Sequence, residues 1–165
     1  MAITELVSVE EYLHSTFEHD AEYVEGRIVP RPMPQKPHSK MQRDLLRMLC
    51  PVGDPLGYEV WPEQRIRTQR LPARYRVPDL CVTQGEASED VFTEPPFLCV
   101  ETLSPGDTAV EVWAKVREYL AFGVACVWIV NPNTGTGEIH SPDGSERAEN
   151  GRFRAGEIEV RLGEL

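Results

Sequence analysis

The sequence predicts a mixed α/β fold in which a β-sheet is flanked by two main helices, with a β extension at the C-terminus. Three observations lead to this prediction. Apolar residues recur at helical spacing over about 39–50 and 107–122. Short apolar runs lie between Gly- and Pro-rich turns, and the unbroken apolar run 124–132 is typical of a strand buried on both faces. The tail after that run alternates short strand-like segments with Gly-rich turns.

The length and composition are those of an ordinary globular domain. We expect one domain over residues 1–165, because no linker or repeat divides the chain. No apolar run approaches the roughly 20 residues that cross a bilayer, and the N-terminus lacks the pattern of a signal peptide. Four cysteines are widely spaced, and Cys81 and Cys99 lie within apolar runs. This usage predicts reduced thiols and a cytoplasmic location.

The first half of the chain contains short predicted elements separated by turn and capping signals. The predicted elements are a helix at 8–15, two strands within 21–29, the helix at 39–50, and strands at 58–69 and 76–83. Ser8 and Glu11 form a possible capping box for the first helix. A turn at Glu25-Gly26 separates the first two strands. The stretch RPMPQKPHSK, residues 31–40, is too rich in proline to predict either regular element.

The second half contains the clearest pattern. A strand is predicted at 97–103, and the helix 107–122 follows it directly. Asp107 or Thr108 can cap this helix, and Glu111 completes a Thr-x-x-Glu capping box. Gly123 is placed to end the helix before the buried strand begins.

The charge distribution is uneven. The net charge of −10 argues against a nucleic-acid partner, yet residues 27–76 hold eleven Lys and Arg against four acids and so carry +7, which leaves −17 for the rest. This asymmetry can focus a positive field at one cleft. The alternative is a solvated hairpin whose arginines face water. Five arginines fall in the last part of this window, at Arg65, Arg67, Arg70, Arg74 and Arg76.

Three carboxylates stand in apolar strand-like runs. Glu22, Asp79 and Glu101 would each cost several kcal/mol if buried, charged and unpaired. Each can be a separate structural carboxylate with its own partners. If they meet at one cleft, they repel one another unless a cation lies between them. Mg²⁺ prefers oxygen ligands and takes one or two protein carboxylates, so Asp79 and Glu101, with Glu22 alongside, are candidates for a magnesium or manganese site.

Lys115 is a candidate fourth member of that site. Glu111, Lys115 and Tyr119 follow one another at four-residue spacing on helix 107–122, which starts a few residues after Glu101. The second turn of this helix can therefore overlie the end of the Glu101 strand. The alternative is a surface Glu111–Lys115 pair, worth only a few tenths of a kcal/mol.

Five short motifs, in order, carry a resemblance to a known family. They are EYVEGRIV with Glu22, the pair His38-Ser39, VPDLCV with Asp79, VETLSP with Glu101, and EVWAKVREYLAFGVACVWIVNP with Lys115. With these motifs the chain resembles the Uma-two family of restriction endonucleases, within the PD-(D/E)XK nuclease superfamily. The resemblance extends from about residue 8 to residue 132.

The resemblance implies a restriction-endonuclease-like fold and hydrolysis of phosphodiester bonds in DNA with Mg²⁺ or Mn²⁺. Asp79 and Glu101 would bind the metal, and Glu22 would be the third acid. The lysine of the superfamily falls two residues after the Glu, where this chain has Leu103. In the family that the chain resembles, the lysine comes from the following helix, which indicates Lys115.

The resemblance also bears on partners. The five arginines from 65 to 76 would bind the phosphates that flank the scissile bond, with DNA the expected nucleic acid and RNA still open. His38 either lines the cleft or only opens a helix at the surface. Nuclease folds of this kind often pair to reach both strands, which suggests a homodimer by analogy.

Two other functions remain open from the sequence. One is a catalytically inactive nuclease fold that binds nucleic acid or a protein partner, an interpretation that Leu103 and the net charge of −10 favour. The other is an interaction module whose arginine strand binds an acidic partner. A nuclease site should gain stability from Mg²⁺ or Mn²⁺, whereas such a module should not.

Overall fold

The computed structural model of the chain describes residues 6–17 and 20–163. Within these ranges the α-helices are α1 (Val9–His14), α2 (Lys36–Gly53) and α3 (Ala109–Phe122). The strands are β1 (Ala21–Val24), β2 (Arg27–Pro30), β3 (Tyr58–Pro62), β4 (Ile66–Gln69), β5 (Arg74–Arg76), β6 (Leu80–Gln84), β7 (Leu98–Thr102), β8 (Cys126–Val130), β9 (Gly137–Ser141), β10 (Gly144–Arg147), β11 (Arg152–Ala155) and β12 (Ile158–Arg161).

The strands form two sheets and a hairpin. The larger sheet has the order β10-β9-β8-β7-β6-β3, and the smaller one has the order β2-β1-β5-β4. Strands β7 and β8 are parallel neighbours, and α3 is the crossover between them. Strands β11 and β12 form the C-terminal hairpin. The predicted mixed α/β fold with two main helices and a C-terminal β extension is confirmed.

The pleat of the larger sheet divides its side chains between two apolar clusters. Leu80, Val100 and Trp128 pack with Leu45 and Leu49 of α2. Cys81, Cys99 and Val127, the alternate positions, pack with Val116 and Tyr119 of α3. Because successive residues of a strand point to opposite faces, each helix covers one face of the sheet. Strand β8 is buried along its whole length, as its apolar run predicted.

The smaller sheet is held by aromatic side chains. Tyr12 of α1 is fully buried between Tyr23 of β1 and Tyr75 of β5, with ring centroids 5.1 and 5.5 Å away. Its hydroxyl donates to the Ala21 carbonyl at 2.9 Å, so the phenol is satisfied within the cluster. This cluster fixes β1 and β5, the two strands that carry Glu22 and Arg76.

Local signals predicted α1 and α3 closely. Ser8 caps α1 by accepting from the Glu11 N–H at 3.1 Å. Thr108 and Glu111 form the expected capping box at the start of α3, and Gly123 ends the helix with a φ of 115°. Such a positive φ is accessible to glycine at little cost.

Two boundaries differ from the prediction. Helix α2 begins at Lys36, inside the proline-rich stretch that was expected to be irregular, because a proline in the first helical turn lacks an N–H that would be unpaired anyway. The predicted strand 58–69 is two strands, β3 and β4, which belong to different sheets. Glu63 has a φ of 50° between them, so the chain turns there from one sheet to the other.

The described part of the chain contains no helix that is long and apolar enough to cross a membrane. All four cysteines are free thiols, and three of them, Cys81, Cys99 and Cys126, are buried. Burial raises the pKa of the Cys81 thiol to about 12. Cys81 and Cys99 are thus buried in the apolar strands in which the sequence placed them.

Candidate functional site

The four candidate catalytic residues line one cleft. The cleft has a volume of about 640 Å³ and lies between the smaller sheet, the start of α2, the adjoining ends of β6 and β7, and the first turns of α3. Glu22, Asp79, Glu101 and Lys115 all border it, together with His38. The candidates come from separate parts of the sequence, and the fold brings them together.

Glu101 faces α3 because of the strand pleat. It stands two residues after Cys99, and therefore on the same side of β7, where Tyr119 donates its hydroxyl to Glu101 Oε1 at 2.6 Å. The Lys115 Nζ lies 3.7 Å from the same oxygen. Burial raises the pKa of Glu101 to about 7, Lys115 opposes this rise, and the charges of Asp79 and Glu22 add to it. A cation close to Glu101 would therefore stabilise the charged form of its carboxyl group.

Asp79 lies just before β6, and three donors surround it. The Thr102 N–H donates to Oδ2 at 2.7 Å, which ties Asp79 to the end of β7. Arg31 donates to Oδ1 at 2.7 Å, and the His38 Nε2 lies 3.2 Å from Oδ2. The hydrogen bond to Asp79 raises the pKa of His38 although partial burial opposes the rise. His38 therefore lines the cleft, which was one of the two positions expected for it.

Glu22 holds Lys115 in place. The Lys115 Nζ is 3.1 Å from Glu22 Oε1, so the helix-borne lysine reaches across to β1. Glu22 is only 2% exposed and also accepts from Arg76 at 2.9 Å and from the Val77 N–H at 3.2 Å. Burial lowers the pKa of Lys115, but the charges of Glu101 and Glu22 outweigh it, and the pKa is raised. The ammonium group is thus kept charged between two carboxylates.

Glu118, a second buried carboxylate, holds in place the Arg76 side chain that bonds Glu22. Arg76 donates to Glu118 of α3 through Nε at 3.0 Å and NH2 at 2.7 Å, while its NH1 group bonds Glu22. Glu118 also accepts a short hydrogen bond from the Thr68 hydroxyl. Burial raises the pKa of Glu118, but the Arg76 contacts dominate and lower it. This chain of contacts connects β4, β5 and α3 to the acid that holds Lys115.

The other four arginines of the 65–76 segment have different environments. Arg65 lies over the Tyr12 ring at 4.7 Å, and Arg74 pairs with Glu25 and Glu118. Arg67 is half-buried and Arg70 is exposed. Of the five, Arg76 borders the cleft, while its guanidinium is engaged by two carboxylates. A role for this segment in binding nucleic acid stays a prediction.

Three side chains at or beside the site were not expected there from the sequence. Arg31 follows β2 and reaches Asp79, Tyr119 bonds Glu101, and Glu118 fixes Arg76. The four-residue spacing of Lys115 and Tyr119 was a usable signal for the tyrosine. Arg31 lies between two prolines in an irregular stretch, where no periodicity predicts which way its side chain points.

The site has features that fit a hard divalent cation. Asp79 and Glu101 are two of the carboxylates that border the open cleft, and Mg²⁺ usually takes one or two carboxylates from a protein while it keeps several waters. Two buried polar atoms at the same place, the Thr102 hydroxyl and His38 Nδ1, have no hydrogen-bond partner among the described residues. In residues 6–17 and 20–163, no group of three or more His, Cys, Asp and Glu side chains is arranged to hold a metal. Asp79 and Glu101 would therefore be the protein ligands of such an ion, and water would supply the rest of its coordination.

Comparison with solved structures shows the class of fold. The chain is similar to a protein of Anabaena variabilis ATCC 29413 described as "a putative nuclease belonging to DUF820", with a TM-score of 0.79 over 94% of each chain and 24% sequence identity. The fold is therefore that of a nuclease-like α/β protein.

The profile of one protein family, Uma2, described as "Putative restriction endonuclease", matches residues 9–161. The chain belongs to this family. No curated protein matches it.

Proposed function

We propose that the protein is a metal-dependent endonuclease that hydrolyses phosphodiester bonds in DNA. One observation carries the proposal: Glu22, Asp79, Glu101 and Lys115 border a single cleft, with the lysine ammonium 3.1 Å from one acid and 3.7 Å from another. The Glu22 side chain is 2% exposed and the Asp79 side chain is 4% exposed, whereas the carboxylates of ordinary surface ion pairs remain in contact with water. Membership in the Uma2 family supports the same activity.

Asp79 and Glu101 would hold the metal, Mg²⁺ or Mn²⁺. The bound ion would lower the pKa of a water and stabilise the negative charge of the scissile phosphate. Asp79 is oriented for this role by the Thr102 N–H, and Glu101 by the Tyr119 hydroxyl. Both contacts fix the carboxylate directions before any ligand arrives, as preorganised sites require.

Lys115 would act on the reacting groups. Its ammonium has three donors, and the Glu22 contact uses one of them. A remaining donor can orient the attacking water or bind an oxygen of the phosphate as charge develops there. Glu22, held by Arg76 and the Val77 N–H, keeps the ammonium at the cleft and so takes part as the residue that orients the lysine.

The wider proposal follows the sequence. We place the activity in one nuclease domain over residues 1–165, in the cytoplasm, with DNA as substrate and a homodimer as the form that reaches both strands. Of the five arginines expected to bind the DNA backbone, Arg65, Arg67, Arg70 and Arg74 would contribute together with His38 at the cleft. Arg76, the fifth, would instead support the site through Glu22 and Glu118. RNA is the competing substrate to be tested.

A plasmid-nicking assay tests the proposal. Purified protein should convert supercoiled DNA to the nicked form with Mn²⁺ or Mg²⁺ and not with EDTA, and Asp79→Asn should abolish both nicking and metal-induced thermal stabilisation. A parallel assay with labelled RNA tests the substrate. Nicking that persists in Asp79→Asn would show a contaminating nuclease or a different site.

A second function is favoured by a specific observation. Asp79 already has three donors, and two of them, Arg31 and His38, are basic. Together with Leu103 in the usual lysine position, this arrangement supports a nuclease fold that binds nucleic acid or a protein without cutting. That function predicts DNA binding that is the same in Mn²⁺ and EDTA, with no nicking in either.

A further inference from the structure

Arg31 occupies an unusual position at the cleft. It leaves the end of β2, at a point where the chain enters its proline-rich stretch, and turns its guanidinium inward until the side chain is only 14% exposed. The NH2 group donates to Asp79 Oδ1 at 2.7 Å. The NH1 group lies 3.6 Å from Asp20 and 3.9 Å from Glu63. One guanidinium thus lies among three carboxylates.

The acceptor capacity of Asp79 shows what this contact does. A carboxylate has about four lone-pair sites on its two oxygens. The Thr102 N–H and His38 both contact Oδ2, and Arg31 contacts Oδ1. Counting the partners that the described residues supply, one site on the carboxylate is left, and it is on the oxygen that Arg31 already holds. A second cation at that oxygen would be close to the guanidinium and would be repelled by it.

We infer that Arg31 and a divalent cation compete for Asp79, so that the arginine serves as the counter-cation of the cleft when no metal is bound. The inference rests on the proposed metal-dependent function. It goes beyond that function because it assigns a role to a residue that neither the motifs nor the proposed chemistry uses.

The competition has a consequence for the substrate. Arg31 borders the same cleft as Glu101 and Lys115, so displacement from Asp79 leaves a guanidinium facing the space where a phosphate would lie. Guanidinium groups bind phosphate oxygens through two parallel hydrogen bonds. Metal binding would therefore free a phosphate ligand, and metal and DNA backbone would each favour the binding of the other.

Titration calorimetry with Mn²⁺ alone, without DNA, tests the competition. Arg31→Gln should bind Mn²⁺ at least tenfold more tightly than the wild type, because it removes the competing charge. Arg31→Lys retains a cation and should stay close to the wild type. Arg27→Gln is the matched control, since Arg27 is an exposed arginine of β2 outside the cleft, and it should leave the affinity unchanged.

The outcomes separate the inference from the proposed function. Equal affinity in wild type and Arg31→Gln, with Asp79→Asn inert, would overturn the inference and leave the metal site intact. Binding by Arg31→Gln but not by the wild type would support the inference in its strongest form. Absence of binding in every variant would overturn the inference and the metal-dependent function together.

A second measurement needs no variant, in case Arg31→Gln does not fold. The side-chain guanidinium signals of Arg31 can be followed by NMR in the wild-type protein as Mg²⁺ is added. Release from Asp79 should shift these signals and speed the exchange of their protons with water. Signals that stay unchanged at saturating Mg²⁺ would show that Arg31 remains on Asp79, which would overturn the inference.

Discussion

Lys115 of α3 lies 3.1 Å from Glu22 of β1, and this contact joins the helix to the smaller sheet across the cleft. The lysine therefore arrives from a helix that covers the larger sheet. Position 103, directly after β7, is taken by a leucine that packs with the apolar cluster under α3. The ammonium group is therefore supplied from position 115, while the side chain at position 103 contributes to apolar packing.

Lys115→Met should reduce plasmid nicking by about two orders of magnitude, the usual loss when one donor to a transition state is removed. Arg117→Met is the matched control, because Arg117 is an exposed cation of the same helix. It should nick at the wild-type rate. Initial rates at saturating Mn²⁺ measure both variants, and equal losses would show that the charge of α3 matters and not the lysine itself.

Leu103→Lys should partly restore nicking in the Lys115→Met background. Leu103 continues the strand, since its N–H donates to the Val130 carbonyl at 2.9 Å, and it therefore stands on the same face as Glu101. A lysine there can direct its ammonium toward the same carboxylate, at some cost in packing. The rate of the double variant, compared with that of Lys115→Met, measures the rescue, and no gain would mean that the ammonium must approach from α3.

The metal-free protein should lose stability as the pH rises from 5 to 8. The pKa of Glu101 is raised to about 7, so the folded state holds this proton more tightly than the unfolded chain does. The resulting stabilisation is complete below about pH 4.5, the ordinary Glu value, and is lost as the pH rises through about 7. The effect is on the order of 3 kcal/mol at most.

Urea unfolding in EDTA at pH 5 and pH 8 measures this effect. Glu101→Gln stays neutral at both pH values, so its free energy of unfolding should rise relative to that of the wild type as the pH rises. His38 titrates in both proteins, and the charge of Glu101 is the last of the causes that raise the pKa of His38, so most of its contribution cancels in the comparison. A difference in unfolding free energy that is the same at both pH values would contradict the raised pKa.

Glu118→Gln should lower the free energy of unfolding by about 3 kcal/mol, since it leaves the buried Arg76 guanidinium with Glu22 as the one of its two charged partners that remains. Glu157→Gln, at an exposed site, is the control and should change stability by less than about 0.5 kcal/mol. Urea unfolding at pH 7 compares the two. If Glu118→Gln is as stable as the control, the Glu22 contact alone is enough to hold Arg76, and the support of Glu22 does not depend on α3.

The helices and the buried strand could be predicted because their signals are local. The capping box of Thr108 and Glu111, the positive φ of Gly123 and the apolar run of β8 depend on neighbouring residues alone. The division of 58–69 into two strands could not be predicted, because the turn occurs at Glu63, a residue type that rarely adopts a φ of 50°. The start of α2 was misjudged because proline is unfavourable only beyond the first turn.

The site was predictable where a charge interrupts an apolar run. Glu22, Asp79 and Glu101 stand out in this way, and the structure brings them to one cleft. The direction of an arginine is a tertiary property. Arg76 points inward because it pairs with Glu22 and Glu118, and Arg31 points inward because it pairs with Asp79. These carboxylates are all distant from the arginines in sequence. No spacing rule within the chain reports these pairings.

The burial of the cysteines gives the protein a single accessible handle for chemical labelling. Burial raises the pKa of Cys81 to about 12 and that of Cys126 to about 11, and it raises the pKa of Cys99 as well, so these thiols carry little of the reactive thiolate. Partial burial and the charges of Asp54 and Glu59 raise the pKa of Cys50 too, but Cys50 is the one cysteine of the four that is not buried. It lies near the end of α2, the helix whose first turn carries His38. A maleimide dye should therefore attach at Cys50 in the native protein without replacement of any residue. Fluorescence from that dye would report on α2 from the end remote from the cleft.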